Sequence, residues 1–192
     1  MLILASSSPR RRQLLRENGM EFVCCVPSVD EEMPECSANP EGTAVENARR
    51  KAAQVVNDGH CAAGDIVLAA DTIVVNGKRL LGKPRDLAAA VAMLQSLSGG
   101  VHRVVTGVCV RNAERERCGF ASTAVHFRKL SEQMIAGYFS LVNPLDKAGG
   151  YAIQEHGSML IERIEGALDN VIGLPVQCVK ELMAQLNAPD YA

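Results

Sequence analysis

The chain has 192 residues, 47% apolar and 22% charged, and its 20 basic and 22 acidic side chains leave a net charge of −2. So high an apolar share with so little net charge excludes a disordered chain, and the charge balance excludes a nucleic-acid binder relying on bulk positive charge. The length suits a single domain over residues 1–192, no apolar run approaches the ~20 residues of a membrane span, and Met1–Ala5 is too short to be a signal peptide.

Leu2–Ala5 reads as a buried strand running into Ser6-Ser7-Ser8-Pro9, where Ser8 suits an N-cap, Pro9 a first helical position and Gly19 a terminator. Phe22–Val26 is a second short strand. Thr43-x-x-Glu46 has the form of a capping box, opening a helix to about Asn57 with an apolar stripe of Ala44, Val45, Ala48, Ala52, Val55 and Val56. Ile66–Val75 is a strong strand; Asn76-Gly77 signals a tight hairpin to a partner near Arg79–Leu81. Asp86 caps an Ala-rich helix ending at Ser98-Gly99-Gly100. Arg103–Arg111 and Phe120–Arg128 are strands around a polar tip at Asn112–Glu116, and a helix begins at Ser131 and stops before Asn143-Pro144. Tyr151–Ile153 and Met159–Ile164 read as short strands and Pro175–Leu186 as an amphipathic helix. Hairpin-joined strands beside helix-joined strands predict an α/β fold with a mixed, twisted sheet and flanking helices.

The seven cysteines form no CxxC pair, so they read as reduced, mostly buried small hydrophobes, consistent with a cytoplasmic protein. Aromatic residues are only 4% and tryptophan is absent, which leaves no base-stacking platform for nucleic acid. Charge is segregated locally. Residues 1–20 carry four arginines against one glutamate, whereas residues 21–46 carry seven acids and no Lys or Arg. Such runs are either two solvated surfaces or the two halves of a site for a metal-bound polyphosphate.

Asp71 is the most informative position, because it lies inside the apolar run Ile66–Val75 and by alternation shares a face with Val67, Ala69, Ile73 and Val75. A buried carboxylate must be paired, protonated or metal-bound, so Asp71 is either a structural carboxylate capping a turn or pairing with an arginine, or a metal ligand or general base at the edge of a cleft. Ser6–Arg11 joins a strand to a helix start whose N–H groups, hydroxyls and guanidinium forks suit an anion, though capped basic helix starts are also ordinary solvated surface. Lys51 borders the apolar stripe of its helix, where it either snorkels or serves the site, and Arg50 points away. Lys83 follows the hairpin that returns toward Asp71, and Asp146–Gly150 is a charged, glycine-rich turn suited to binding. No P-loop, G-x-S-x-G or metal-spaced histidine set is present, so the four histidines read as structural or surface residues.

Taken together, Leu4–Arg11, Val29-Asp30-Glu31, Ala48–Ala52, Ala70–Val74, Gly82-Lys83-Pro84, Val105-Thr106-Gly107, Phe127-Arg128, Asp146–Gly149, Tyr151–Gln154 and Val171–Pro175 resemble, in order and over nearly the whole chain, the Maf family of nucleotide pyrophosphatases. The resemblance implies two lobes around a central cleft, as in inosine triphosphate pyrophosphatase-like folds. It also implies hydrolysis of a nucleoside triphosphate to the monophosphate and pyrophosphate with Mg²⁺ or Mn²⁺. It would make Asp71 the proton acceptor, Ser6, Arg11, Lys51 and Lys83 phosphate-binding residues, and Glu31 with Asp71 the metal ligands. Members preferring dTTP and UTP carry the residue types found here at Arg10, Thr72 and Gln154; the sister group acting on methylated guanine nucleotides has Trp, Gln and Glu there. The implied partners are the nucleotide and a second copy of the chain, with no nucleic acid or membrane. A different class remains open at this level: a non-catalytic, nucleotide-binding regulator of septum formation.

Overall fold

The computed structural model describes residues 1–188, so the last four residues of the expected 1–192 unit lie outside the described residues. In chain order the elements are β1 (Leu2–Leu4), α1 (Pro9–Glu17), β2 (Val23–Cys24), α2 (Pro40–Asn57), β3 (Ile66–Asn76), β4 (Arg79–Leu81), α3 (Leu87–Leu97), β5 (Val101–Arg111), β6 (Glu116–Phe127), α4 (Glu132–Leu141), β7 (Ile161–Glu165), α5 (Leu168–Ile172) and α6 (Val176–Asn187). Two single 3-10 turns, Ala148–Gly150 and Gly157–Met159, precede β7.

The strands form one mixed sheet in the order β2-β1-β3-β5-β6-β7, with β4 paired to β3. β1 runs parallel to β2 and β3, and the remaining pairs are antiparallel. β1 and β4 occupy the same edge of β3 in tandem. β1 covers Ile66–Leu68 and β4 covers Val74–Asn76, so Ala69–Ile73 has no strand beside it on that edge. This notch lies just past the carboxyl end of β1, where open α/β sheets form their crevices. Because side chains alternate, Asp71 and Thr72 point to opposite faces, yet a gap at the strand edge is reachable from both.

One face of the sheet is covered by α2, whose Ala48, Ala52 and Val55 pack on Ile3, Val67 and Ala69, with Ala44 against Ile73 and Val105. The opposite face carries two separate cores. At one end α1 and α6 bury Leu15, Val179 and Leu186 against Leu68, Ala70, Val108 and Val110. At the other, α3 and α4 bury Leu94, Ile135 and Tyr138 against Val74, Val104 and Phe127. Thr72 and Thr106 sit between these two cores, so the expected lobes are the two ends of one sheet. Among the described residues no helix is long and apolar enough to cross a membrane.

Local signals explain most boundaries. Ser8 Oγ accepts from Arg11 N at 3.5 Å and Pro9 opens α1. Asp86 Oδ1 caps α3 at Ala89 N, 2.7 Å, and Ser131 Oγ caps α4. Gly77, at φ +62°, makes the two-residue β3–β4 turn.

Several expectations are corrected. The helix containing Thr43 begins three residues earlier, at Pro40. Asn39 Oδ1 caps Gly42 N at 2.9 Å, and Thr43 Oγ1 donates back to the Asn39 carbonyl. An N-cap asparagine followed by proline is the stronger start signal. Tyr151–Ile153 forms no strand: Tyr151 is extended and buried, but the chain enters a turn at Ile153, between the two 3-10 turns. The Met159–Ile164 strand is displaced to Ile161–Glu165, α5 was not anticipated, and β5 and β6 are longer than expected because they pair along their full lengths. The cysteines are all free, but among them only Cys109 is buried and Cys24 and Cys36 are exposed, on an edge strand and a loop.

His102 makes a testable contribution to stability. It is 2% exposed, its Nε2 lies 2.7 Å from the Tyr151 hydroxyl, and it packs edge-on against Phe127 and Tyr151. Burial, with a smaller push from His126, pulls its pKa down to about 4. The unfolded chain therefore takes up a proton near pH 6.5 that the folded chain refuses. This contribution is complete above about pH 6.5 and lost progressively as the pH falls to about 4, reaching about 2 kcal/mol at pH 5. Urea unfolding of His102→Gln should show a correspondingly shallower loss of stability between pH 7 and 5; an unchanged slope would contradict a buried neutral imidazole.

Candidate active site

The notch in β3 opens into a cleft of about 320 Å³. Ser6, Arg10, Arg11, Glu31, Lys51, Asp71, Thr72, Lys83 and Gln154 all line it, so every site residue expected from the sequence faces one cavity. They arrive from six places. Ser6, Arg10 and Arg11 come from the β1–α1 junction, Glu31 from the loop before α2, and Lys51 from α2. Asp71 and Thr72 come from β3, Lys83 from the loop after β4, and Gln154 from the segment before β7.

Asp71 is 3% exposed and Lys51 7%. Lys51 Nζ donates to Asp71 Oδ1 at 2.7 Å and to Glu31 Oε1 at 2.6 Å, joining the two carboxylates through one ammonium. Asn47, one helical turn before Lys51, donates its amide to Asp71 Oδ2 at 3.0 Å. Of the alternatives open to a buried Asp71, the ion pair is the one seen, and its partner is Lys51 rather than an arginine. Removing Lys51 would strand the buried Asp71 charge, at about 3–5 kcal/mol, whereas without the Asp71 charge Lys51 keeps Glu31 as its partner. Partial burial pushes the Glu31 carboxyl up, but the hydrogen bond and charge of Lys51 and the charges of Lys83 and Arg11 outweigh it, so it is held below the usual carboxylate range.

Across the cleft, Arg11 donates through Nε to the Gly173 carbonyl at 2.8 Å, through Nη1 to Ser6 Oγ at 3.3 Å and through Nη2 to Thr72 Oγ1 at 3.1 Å. Burial draws its guanidinium pKa down while Asp71 and Glu31 push it up; an arginine stays protonated throughout. Thr72 Oγ1 also contacts Thr106 Oγ1 at 3.0 Å, so the hydroxyl is tied into the cleft floor. At the rim Arg10 Nη1 lies 3.9 Å from Glu155 Oε1. Lys83 is exposed, and its charge reaches Glu31. Arg50 points outward and pairs with Glu32 and Glu46, as its position on the helix predicted.

Five cationic side chains (Arg10, Arg11, Lys51, Lys83 and Lys147) line the cleft against three acidic ones (Glu31, Asp71 and Asp146), a balance suited to a polyanion. The segment that carries Glu31 is held at both ends. Glu32 pairs with Asn47, and Leu80 N donates to the Glu35 carbonyl at 3.0 Å.

A sequence profile of the family described as Maf-like protein matches residues 1–186. The chain belongs to the Maf family. Three similar Maf relatives bear the name dTTP/UTP pyrophosphatase. The Desulfitobacterium hafniense protein is 46% identical over 96% of this chain and 84% of its own. That of Thermococcus gammatolerans is 44% identical over 95% of each. The Symbiobacterium thermophilum protein is 43% identical over 99% of this chain and 96% of its own. A solved Vibrio cholerae protein is similar at TM-score 0.35 and 10% identity over 73% of this chain and 70% of its own, too remote to bear on fold or function.

Reading the Maf sequence alone missed Asn47, Thr106, the Gly173 carbonyl and the depth of Lys147. Asn47 had a signal, since a polar residue on the apolar stripe four positions before Lys51 must find partners when buried. Lys147 is 4% exposed, and its Nζ donates to the Asn143 carbonyl and Asp146 and pairs with Glu155. The charged turn thus braces the segment carrying Gln154. Nothing in the sequence pointed to the Gly173 carbonyl, which is a backbone atom 162 positions from its partner.

Proposed function

We propose that this Maf chain hydrolyses dTTP and UTP to the monophosphate and pyrophosphate in the cytoplasm, with a divalent metal. The observation that carries this reading is the convergence on one cationic cleft of Asp71, the Lys51 that bridges it to Glu31, and the Ser6–Arg11 helix start. The names of the relatives support the substrate and the reaction.

Among the described residues no group of three or more His, Cys, Asp or Glu could hold an ion. Glu31 and Asp71, however, both reach one ammonium, so two hard oxygen donors converge. That is what Mg²⁺ or Mn²⁺ needs when phosphate oxygens and water complete its shell. Glu31 and Asp71 would hold it, and when bound it offsets charge on the triphosphate and the departing pyrophosphate.

In this reading Arg11, Ser6, Lys83 and the N–H groups at the start of α1 bind the phosphates. Asp71 has two lone-pair directions left beyond Lys51 and Asn47. With these it orients a water and accepts its proton as the oxygen attacks the α-phosphorus; the α–β bridging oxygen leaves with pyrophosphate. Thr72, Arg10 and Gln154 bound the base, and the Gln154 amide offers both a donor and an acceptor to a pyrimidine edge.

A nucleotide panel with product identification tests the proposal. dTTP and UTP should give dTMP and UMP with pyrophosphate, at a kcat/KM at least about tenfold above that for methylated GTP. Orthophosphate as first product would refute the cleavage position, and a preference for methylated GTP would move the chain to the sister group.

A further inference from the structure

Asn47 is 1% exposed and uses nearly all of its hydrogen-bonding capacity on the two acidic elements of the cleft. Its Oδ1 accepts the Glu32 N–H at 2.9 Å, and its Nδ2 donates to the Glu32 carbonyl at 2.9 Å and to Asp71 Oδ2 at 3.0 Å. The amide thus pairs with the Glu32 backbone as a strand neighbour would, immediately after Glu31, while its second hydrogen holds Asp71.

Lys51 bridges the same two elements one turn later, but by charge. An ammonium beside a triphosphate is drawn to phosphate oxygens, which carry more charge than the two carboxylates. The neutral amide of Asn47 gains nothing by following it. We infer that Asn47 is the positioning residue of this centre, keeping Glu31 and Asp71 in register once Lys51 has moved onto the substrate. The inference rests on the proposed function and assigns Asn47 no contact with substrate.

Two variants test it. Asn47→Leu keeps the shape and removes the polar atoms; Asn47→Asp keeps the acceptor for Glu32 N–H and removes both donors. In the folded Leu variant the Glu32 amide should exchange at least about tenfold faster than in the parent. Turnover of dTTP at saturating Mg²⁺ should show kcat reduced about a hundredfold with KM within about threefold, the pattern of misplaced rather than missing groups. If the Leu variant does not fold, Asn47→Asp carries the test: Glu32 stays protected while kcat falls by a similar factor. A folded variant with kcat within about threefold of the parent, or with KM raised and kcat unchanged, overturns the inference. A parent that releases no pyrophosphate defeats the proposed function instead. The inference is then judged by exchange alone: with α,β-methylene-dTTP bound, the parent keeps Glu32 protected and Asn47→Leu does not. Equal Glu32 exchange in the two would overturn it.

Discussion

Replacing Asp71 with Asn should lower kcat for dTTP by about 10³-fold while leaving nucleotide affinity within about threefold. The substitution keeps the size of the side chain and one oxygen acceptor but removes its capacity to take a proton. Affinity is held by groups elsewhere in the cleft, above all Arg11, whose guanidinium is fixed by Gly173, Ser6 and Thr72. A modest structural cost accompanies the change. Lys51 and Asn47 both donate to Asp71, so one of them must face an amide NH₂, a mismatch of about 1–3 kcal/mol. Thermal unfolding separates that cost from the chemical effect, and titration with a non-hydrolysable nucleotide measures binding. Near-parental turnover in the folded variant would remove Asp71 from the role of base.

Gly107→Ala should be the most damaging small substitution in the sheet. Gly107 lies opposite Asp71 in the β3–β5 ladder, and a Cβ there would stand 2.3 Å from the Ala44 carbonyl carbon and 2.4 Å from Val45 N. Those are backbone atoms of α2, so no rotamer change relieves the overlap and the helix must lift from the sheet. The expected destabilisation is at least about 3 kcal/mol, lowering the thermal midpoint by about 6–12 °C in a domain of this size. Because α2 carries both Asn47 and Lys51, activity at 25 °C should fall as well. Gly119→Ala is the control: the nearest atoms to its Cβ are side-chain atoms of Leu182 and Cys178, at 3.4 Å or more, so its stability should stay within about 0.5 kcal/mol of the parent. A Gly107→Ala protein as stable as the control would mean that the close approach of α2 does not position the site.

Residues 66–81 were legible because their signals are local. A β-branched apolar run followed by Asn-Gly specifies strand, turn and strand from nearest neighbours, and the hairpin formed as read. The caps at Ser8, Asp86 and Ser131 were legible for the same reason. The start of α2 was misjudged because two capping patterns lie four residues apart and Asn39-Pro40 prevails. Tyr151–Ile153 failed as a strand because its short apolar run is cut off by a turn at Ile153, right after the Ala148–Gly150 turn.

What the sequence determined by itself was the mixed α/β architecture and, through its resemblance to the Maf family, the family and nine residues expected at one site. Alternation, capping and residue type act over a few positions and survive in any folded context. What only the tertiary structure decided was how those nine meet: the break between β1 and β4 on the edge of β3, through which residues on opposite sheet faces reach one cavity, and the Asn47–Lys51 pair that joins Glu31 to Asp71. Such contacts join positions 15 to 162 residues apart. Their energy depends on burial and distance in the packed chain, and neither exists until helix α2 has settled on the sheet.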